Sequence, residues 1–144
     1  MSFSIDTNIL IYASNSRSPL REAASRFLHE ATTGIDLLFL AWSVIFGYLR
    51  IVTHPSILGE PLHPDEARRN IDDLLAFPNV RLLPEGPDLW QTYSSVSKEV
   101  IVRGDFVSDA HLAATLRHHG VSVLYTNDSD FRKFRFLEVR NPFQ

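Results

Sequence analysis

The sequence predicts an α/β fold built on one parallel sheet, because short apolar runs alternate with longer amphipathic segments along the whole chain. The amphipathic segments have the spacing of helices that cover a sheet, whereas the apolar runs fit strands that are buried on both faces. The chain has 144 residues, of which 44% are hydrophobic and 22% are charged. This composition suits one globular core, and we expect residues 1–144 to form a single domain.

The first elements are defined by their capping residues. The apolar residues of segment 3–5 predict a buried strand, and Asp6 after them is a good N-cap for the helix that follows. Ser18-Pro19 predicts the start of a second helix, since proline is favoured in a first turn, and Gly34 predicts its end. The apolar run 37–40 then predicts a second strand.

Prolines delimit the middle of the chain. A helical apolar pattern over residues 43–52 ends before Pro55, and Pro64 opens a helix that runs to about residue 77. The run 80–83 predicts a third strand. A further helix is predicted over residues 88–100.

The last third contains a helix, two strands and a short helical turn. Residues 105–119 have helical spacing, with Gly120 at the position that ends a helix. A fourth strand is predicted over 121–125, followed by a turn and a short helix. Residues 136–139 predict a fifth strand at the edge of the sheet.

The composition argues against several classes of protein. The absence of cysteine excludes disulfides and thiolate metal sites. No apolar run reaches the roughly 18–20 residues that span a bilayer, and the first residues lack the basic region of a signal peptide. A cytoplasmic protein without membrane association is therefore the expectation. The net charge of −3 argues against a globally basic surface for binding polyanions.

Four aspartates are predicted to meet at one edge of the sheet. Asp6 follows the first strand, Asp128 and Asp130 follow the fourth, and Asp109 lies in the first turns of the helix that leads into the fourth. Such a group of carboxylates, without histidine or cysteine partners, favours Mg²⁺ or Mn²⁺ over zinc. Each aspartate also has a structural explanation. Asp6 and Asp128 could cap helices, Asp109 could be a charge on a helix face, and Asp130 could add favourable charge to the first turn of the short helix.

Four segments, in order, resemble the motifs of PIN-domain ribonucleases of the VapC toxin family. They are Ile5–Ala13, Trp42–Pro55, Val107–Ala114 and Tyr125–Phe131, with Asn141-Pro142-Phe143 as a short tail. Together they cover nearly the whole chain. The resemblance implies a three-layer α/β/α fold with strand order 3-2-1-4-5 and a metal-dependent endoribonuclease that acts on structured RNA such as tRNA or rRNA.

The resemblance also implies roles for individual residues. Asp6 and Asp109 would bind Mg²⁺ directly, and Asp128 would complete the catalytic pocket through water. Asp130 would support this pocket. Asn8 would hydrogen-bond Asp6 and orient it.

Further residues around the pocket are implied in the same way. Thr126 would offer a hydroxyl to substrate or to metal-bound water. The basic residues that would position RNA phosphates are Arg103, Arg132, Lys133 and Arg135. From charge alone, the cluster after the fourth strand is better explained as a solvated basic edge.

One position departs from the family pattern. Many PIN domains have a glutamate in the helix after the second strand, where this chain has Gly47, and no carboxylate lies between Asp36 and Glu60. This predicts weaker metal affinity or coordination completed by substrate phosphate, and it places a strict two-metal mechanism in doubt. It also supports an alternative, a PIN fold that binds RNA or a protein without cleaving.

The resemblance further implies protein partners. VapC-like proteins pair with a small VapB-like antitoxin, whose basic side chain could enter an acidic pocket. A homodimer is also expected, with Ile57, Leu58 and Leu62 as candidates for an exposed apolar patch. Trp42 is predicted to lie in the core.

Overall fold

A computed structural model describes residues 1–144 and contains one sheet of five parallel strands in the order β3-β2-β1-β4-β5. This is the predicted order, and six helices complete a three-layer α/β/α arrangement. The strands are β1 (Ser2–Ile5), β2 (Leu37–Ala41), β3 (Val80–Leu83), β4 (Val123–Tyr125) and β5 (Glu138–Arg140). The helices are α1 (Thr7–Ser14), α2 (Arg21–Thr33), α3 (Trp42–Val52), α4 (Pro64–Leu75), α5 (Leu89–Glu99) and α6 (Phe106–His118), with a 3₁₀ turn, η1 (Ser129–Lys133).

The central strand β1 is buried, as its apolar sequence predicts. Ile5 and the β2 residues Leu38 and Leu40 are fully enclosed in a core of 27 buried residues. The buried hydroxyl of Ser4 donates to the carbonyl of Phe39 at 2.6 Å, so the polar residue of β1 is also satisfied. Burial on both faces explains why these strands read as continuous apolar runs.

The register of the sheet brings two chain segments to the same edge. Ile5 pairs with Tyr125, and the backbone N–H of Asp6 donates to the carbonyl of Tyr125 at 3.0 Å. The N–H of Thr126 in turn donates to the carbonyl of Arg140 at 2.9 Å. Asp6 and Thr126 therefore lie side by side at the carboxyl ends of β1 and β4.

Two element boundaries differ from those predicted. The second helix begins at Arg21, because the hydroxyl of Ser18 accepts from the N–H of Leu20 and holds a turn before the helix. Strand β4 begins at Val123, because the N–H of Val121 still closes α6 by donating to the carbonyl of Leu116. Gly120 ends that helix as predicted, with φ +71°.

The apolar patch predicted between helices is not exposed as a whole. Leu58 is only 3% exposed and belongs to the core, and Leu62 packs against it, so only Ile57, at 50%, presents a large surface. The segment folds back because the N–H of Leu62 donates to the carbonyl of Val52. Trp42, predicted to be in the core, is 38% exposed, since it stacks on the exposed ring of Phe46 along α3.

No helix in the structure combines the length and the apolar character that a bilayer crossing requires.

Candidate active site

A cavity of about 370 Å³ opens at the carboxyl edge of the sheet. Three of the predicted aspartates line it: Asp6 at the end of β1, Asp109 in the first turn of α6, and Asp128 after β4. Its remaining wall is shared by α1, α6 and the face of α3 that carries Ser43 and Gly47. The fold therefore joins carboxylates that are more than 100 residues apart in the sequence.

Asp6 has both of its carboxylate oxygens hydrogen-bonded. Oδ1 accepts from the N–H of Thr7 at 2.7 Å, which caps α1, and Oδ2 accepts from the hydroxyl of Thr126 at 2.9 Å. Burial raises the pKa of Asp6 above its usual value; the bonds from Thr126 and Thr7 oppose this, and the charge of Asp128 adds to it. Asp6 thus both caps a helix and faces the cavity.

Asp109 is half-buried and accepts no hydrogen bond. Burial raises its pKa to about 7, with further contributions from the charges of Asp6, Asp128 and Asp130 in decreasing order. The charges acting on it are three carboxylates, and no cation offsets them. Part of the cost of ionising Asp109 would therefore be relieved by a cation in the cavity.

The donor set of the cavity suits a hard cation. Oxygen ligands from Asp6 and Asp109 are those that Mg²⁺ and Mn²⁺ prefer. No three His, Cys, Asp or Glu side chains are close enough together to hold a metal ion alone. The residues present therefore fit an ion that keeps several water or phosphate ligands, which is the usual manner of Mg²⁺.

Thr126 is the centre of the hydrogen-bond network beneath Asp6. The residue is only 1% exposed. Its hydroxyl donates to Asp6 and accepts from the N–H of Asp128 at 3.0 Å. It also accepts from the amide of Asn8 at 3.3 Å. The resemblance assigns this hydroxyl to substrate or to metal-bound water; in the structure it is buried and links Asp6 to Asp128, so Thr126 supports the aspartates from beneath.

The predicted contact between Asn8 and Asp6 is not formed. The Asn8 amide donates mainly to Oδ1 of Asn127, at 2.7 Å, because α1 turns this side chain toward the segment after β4. Asn8 reaches Asp6 only through Thr126. Its Oδ1 is buried without a partner and the residue lines the cavity.

Asp128 and Asp130 occupy different environments. Asp128 lines the cavity and caps η1, with Oδ1 accepting from the N–H of Asp130 at 2.9 Å. Asp130 is exposed and lies 3.6 Å from Nζ of Lys133. Asp130 therefore acts on the cavity mainly through its charge, which helps to raise the pKa of Asp109.

His111 lines the cavity two residues after Asp109 but is already engaged. Its Nε2 lies 2.6 Å from Oε1 of Glu85, which fixes the ring against the loop after β3. This arrangement is that of a structural imidazole.

The predicted basic residues do not line the acidic cavity. Arg132 and Lys133 of η1, together with Arg135 just after it, line a separate cavity beside Glu99. Arg103 is exposed in the loop before α6. The structure therefore separates the predicted basic cluster from the acidic cavity.

The cation in the wall of the acidic cavity is Arg50, which the sequence reasoning missed. Ser43, Gly47, Arg50 and Ile51 all line the cavity and follow the spacing of one helix face. That periodicity is present in the sequence, but the apolar residues Val44 and Ile51 share this face, so it does not read as a polar stripe. Gly47 itself lies in the cavity wall, where the family glutamate is expected.

Comparisons with known proteins are consistent across sequence and structure. The family model described as PIN domain matches residues 4–137. Ribonuclease VapC48 of Mycobacterium tuberculosis is 41% identical over 143 residues, which is 99% of each chain. Ribonuclease VapC43 of the same species is 34% identical over 140 residues, covering 96% of this chain and 93% of that protein.

Solved structures with the same fold are more distant in sequence. VapBC2 from Rickettsia felis, bound to a DNA fragment from its promoter, aligns with TM-score 0.70 and 16% identity, covering 98% of both chains. VapC20 from Mycobacterium tuberculosis, described as a toxin that cleaves the sarcin-ricin loop, aligns with TM-score 0.69 and 20% identity over 96% of this chain and 98% of that one. At these identities the alignments support the fold alone.

Proposed function

The chain belongs to the PIN-domain family of VapC ribonucleases, and on that premise we propose that it is a Mg²⁺-dependent endoribonuclease, the toxin of a VapBC-type pair. Mn²⁺ is the expected substitute ion. The observation that carries the proposal is the convergence of Asp6, Asp109 and Asp128 on one cavity at the carboxyl edge of the sheet. Residues 1–144 form its single domain in this proposal.

The chain's own residues would hold and shape the metal site. Asp6 and Asp109 are the direct ligands, Asp128 acts through water, and Asp130 adds negative charge at the edge. When bound, Mg²⁺ would polarise the scissile phosphate and lower the pKa of an attacking water, leaving 5′-phosphate and 3′-hydroxyl ends. Thr126 holds Asp6 in place by donating to its Oδ2.

Structured RNA, such as tRNA or rRNA, is the proposed substrate. A solved neighbour in the family is described as cleaving the sarcin-ricin loop, which supports this class of substrate. The predicted phosphate-binding residues Arg103, Arg132, Lys133 and Arg135 lie outside the acidic cavity and would contact RNA only beyond the scissile site. An RNA substrate makes the cytoplasm the expected location.

We propose a VapB-like antitoxin as the protein partner. Several structural neighbours are VapBC complexes, and an acidic cavity in a chain of net charge −3 suits a basic inhibitory segment. A homodimer is also proposed. Since Leu58 and Leu62 are not available for its interface, the exposed aromatic rings of Trp42, Phe46 and Trp90 are better candidates.

The decisive experiment is cleavage of a panel of structured RNAs by the purified protein. With Mg²⁺ we expect discrete cleavage products, and with EDTA we expect none, because the carboxylates alone cannot polarise a phosphate. Sequencing of RNA ends after induced expression, comparing wild type with Asp6→Asn, would then identify the target. Discrete products that persist in EDTA would contradict metal dependence.

Gly47 favours a second candidate function, a PIN fold that binds RNA or a partner protein without cleaving it. The wall of α3 supplies no carboxylate, and no three metal-binding side chains cluster in the chain. The same panel separates the two functions: this candidate predicts RNA binding with no Mg²⁺-dependent products from any RNA.

Replacing Thr126 with valine should lower both stability and cleavage. The buried hydroxyl serves Asp6, Asp128 and Asn8, and its loss leaves their polar groups unpaired, so we expect a cost of about 1–3 kcal/mol in the free energy of unfolding. Cleavage should fall roughly 10–100-fold, because Asp6 loses the donor that orients it. Urea unfolding and initial cleavage rates measure the two effects.

The matched control is Thr126→Ser, which keeps the hydroxyl and should retain most of the activity. A valine variant that is as stable and as active as wild type would show that the network beneath Asp6 has no role.

A further inference from the structure

The α3 wall of the acidic cavity differs in character from the walls that carry the aspartates. Ser43, Gly47 and Arg50 are four and three residues apart, so they lie on one helix face, and all three line the cavity. This face has no acidic residue. It therefore adds hydrogen-bond donors to a cavity that is also lined by carboxylates.

Arg50 is available to bind an anion. Its side chain is exposed and takes part in no hydrogen bond or ion pair, whereas Arg17, Arg68, Arg117 and Arg140 each pair with a carboxylate. It is the only lysine or arginine in the cavity wall. A guanidinium has five N–H donors in a planar fork that matches two phosphate oxygens.

Ser43 supplies a second unpaired group. Its Oγ is buried, has no hydrogen-bond partner and belongs to a residue that lines the same cavity. A buried hydroxyl without a partner is less favourable than one that is hydrogen-bonded. A ligand oxygen in the cavity would supply that hydrogen bond.

Gly47 keeps open the space between these two residues. A Cβ at this position would lie 3.3 Å from Oγ1 of Thr7, which is tighter than an ordinary contact. A longer side chain would have to extend into the cavity between Ser43 and Arg50. The glycine therefore leaves room for a ligand at the α3 wall.

We propose that Arg50 and Ser43 bind a phosphodiester group of the RNA substrate, as a phosphate subsite on the α3 wall of the cavity. The inference rests on the proposed function for the identity of the ligand. In the metal-free cavity the carboxylates repel an RNA backbone, so a cationic side chain is needed to attract phosphate to them, and the other predicted basic residues lie elsewhere. Arg50 meets this need without neutralising the aspartates.

The test measures binding of a fluorescent single-stranded RNA in EDTA, where no metal contributes and no cleavage is expected. The variants are Arg50→Gln, Arg50→Lys and Ser43→Ala, and the matched control is Arg69→Gln, which removes an exposed, unpaired arginine from α4. Arg50→Gln should raise Kd about 10-fold and reduce the slope of log K against log salt by about 0.7, the value for one phosphate contact on a single strand.

The Kd values of the other variants should follow the charge and the hydrogen-bonding groups that each variant keeps. Arg50→Lys should raise Kd less than Arg50→Gln, since it keeps the charge but loses the fork, and Ser43→Ala should raise Kd a few-fold with no change in the salt slope. Equal melting temperatures of the variants establish that the fold is intact. Arg69→Gln should bind as wild type does.

Three results would overturn the proposal: wild type that does not bind RNA, Arg50→Gln that binds as tightly as Arg69→Gln, or an unchanged salt slope. Loss of this subsite is distinguishable from failure of the proposed function. Mg²⁺-dependent cleavage by wild type with no effect of Arg50→Gln rejects the subsite alone. RNA binding that depends on Arg50, without cleavage of any RNA, rejects the proposed nuclease function but supports the phosphate subsite.

Discussion

Replacing Asp109 with asparagine should reduce the rate of RNA cleavage at least about 10³-fold. This loss corresponds to about 4 kcal/mol of transition-state stabilisation, which is within the range that a bound metal ion supplies. Asp109 accepts no hydrogen bond within the chain and faces the cavity with three other carboxylates near it. Its charge therefore has no structural partner, and binding a cation is the role that best explains it.

The measurement is the single-turnover cleavage rate at saturating Mg²⁺, compared between wild type and Asp109→Asn. Asp105→Asn is the matched control, because Asp105 is exposed four residues earlier, at the start of the same helix, and its side chain caps nothing. The control should cleave as wild type does. Cleavage by Asp109→Asn within a few-fold of wild type would remove Asp109 from the metal site.

Asp6→Asn should cause a comparable loss, but its interpretation differs. Asp6 also caps α1 and accepts from Thr126, so this variant changes a structural contact together with the charge. A loss of cleavage in Asp6→Asn supports the metal site only if its unfolding free energy stays close to that of wild type. Asp109→Asn is the cleaner test for this reason.

The order of the strands and the meeting of distant aspartates could be predicted because both follow from general rules. Apolar runs specify buried parallel strands, and polar residues that follow such strands gather at one edge of the sheet. Asp6 and Asp128 follow adjacent strands, so the register that pairs Ile5 with Tyr125 also brings them together. Strand order itself required the family resemblance, since periodicity does not specify which strands are neighbours.

The details of the site were harder to predict because they depend on side-chain direction. Asn8 is two residues from Asp6 in the sequence, yet the first turn of α1 points its amide at Asn127. Lys133 follows Asp128 closely, but the 3₁₀ turn directs it to a different cavity. Arg50 is the reverse case, a residue far away in the sequence that the fold brings into the site. It lies seven residues from Ser43, and only the geometry of a helix places the two on one face.

The exposed patch was mispredicted because contact with the core cannot be read from a loop sequence. Leu58 follows no helical or strand period, so its apolar character was equally compatible with burial and with an interface. The hydrogen bond from Leu62 to Val52 folds the segment onto the core and buries Leu58. Long-range backbone pairing of this kind has no local sequence signal.

In the metal-free protein, Asp109→Asn should increase stability at alkaline pH, although the same substitution lowers Mg²⁺-dependent cleavage. The pKa of Asp109 is raised to about 7, so the folded state binds a proton that the unfolded state, with the ordinary value of 3.8, has released. Wild type must therefore lose stability as the pH rises from about 4 to about 7. Asparagine carries no charge at any pH and avoids this loss.

The expected gain above pH 7 is roughly 1–2 kcal/mol in the free energy of unfolding, which is less than the full pKa difference implies, because the carboxyl is only half-buried and solvent screens it. Urea unfolding in EDTA at pH 4 and pH 8 measures it: the two proteins should differ little at pH 4 and clearly at pH 8. Mg²⁺ at pH 8 should raise the stability of wild type and leave that of Asp109→Asn nearly unchanged, because an ion that binds only the folded state stabilises it in proportion to its affinity. An Asp109→Asn protein that is less stable than wild type at pH 8 in EDTA would mean that Asp109 stabilises the fold. The carboxylates of the cavity would then not repel one another strongly enough to favour a cation.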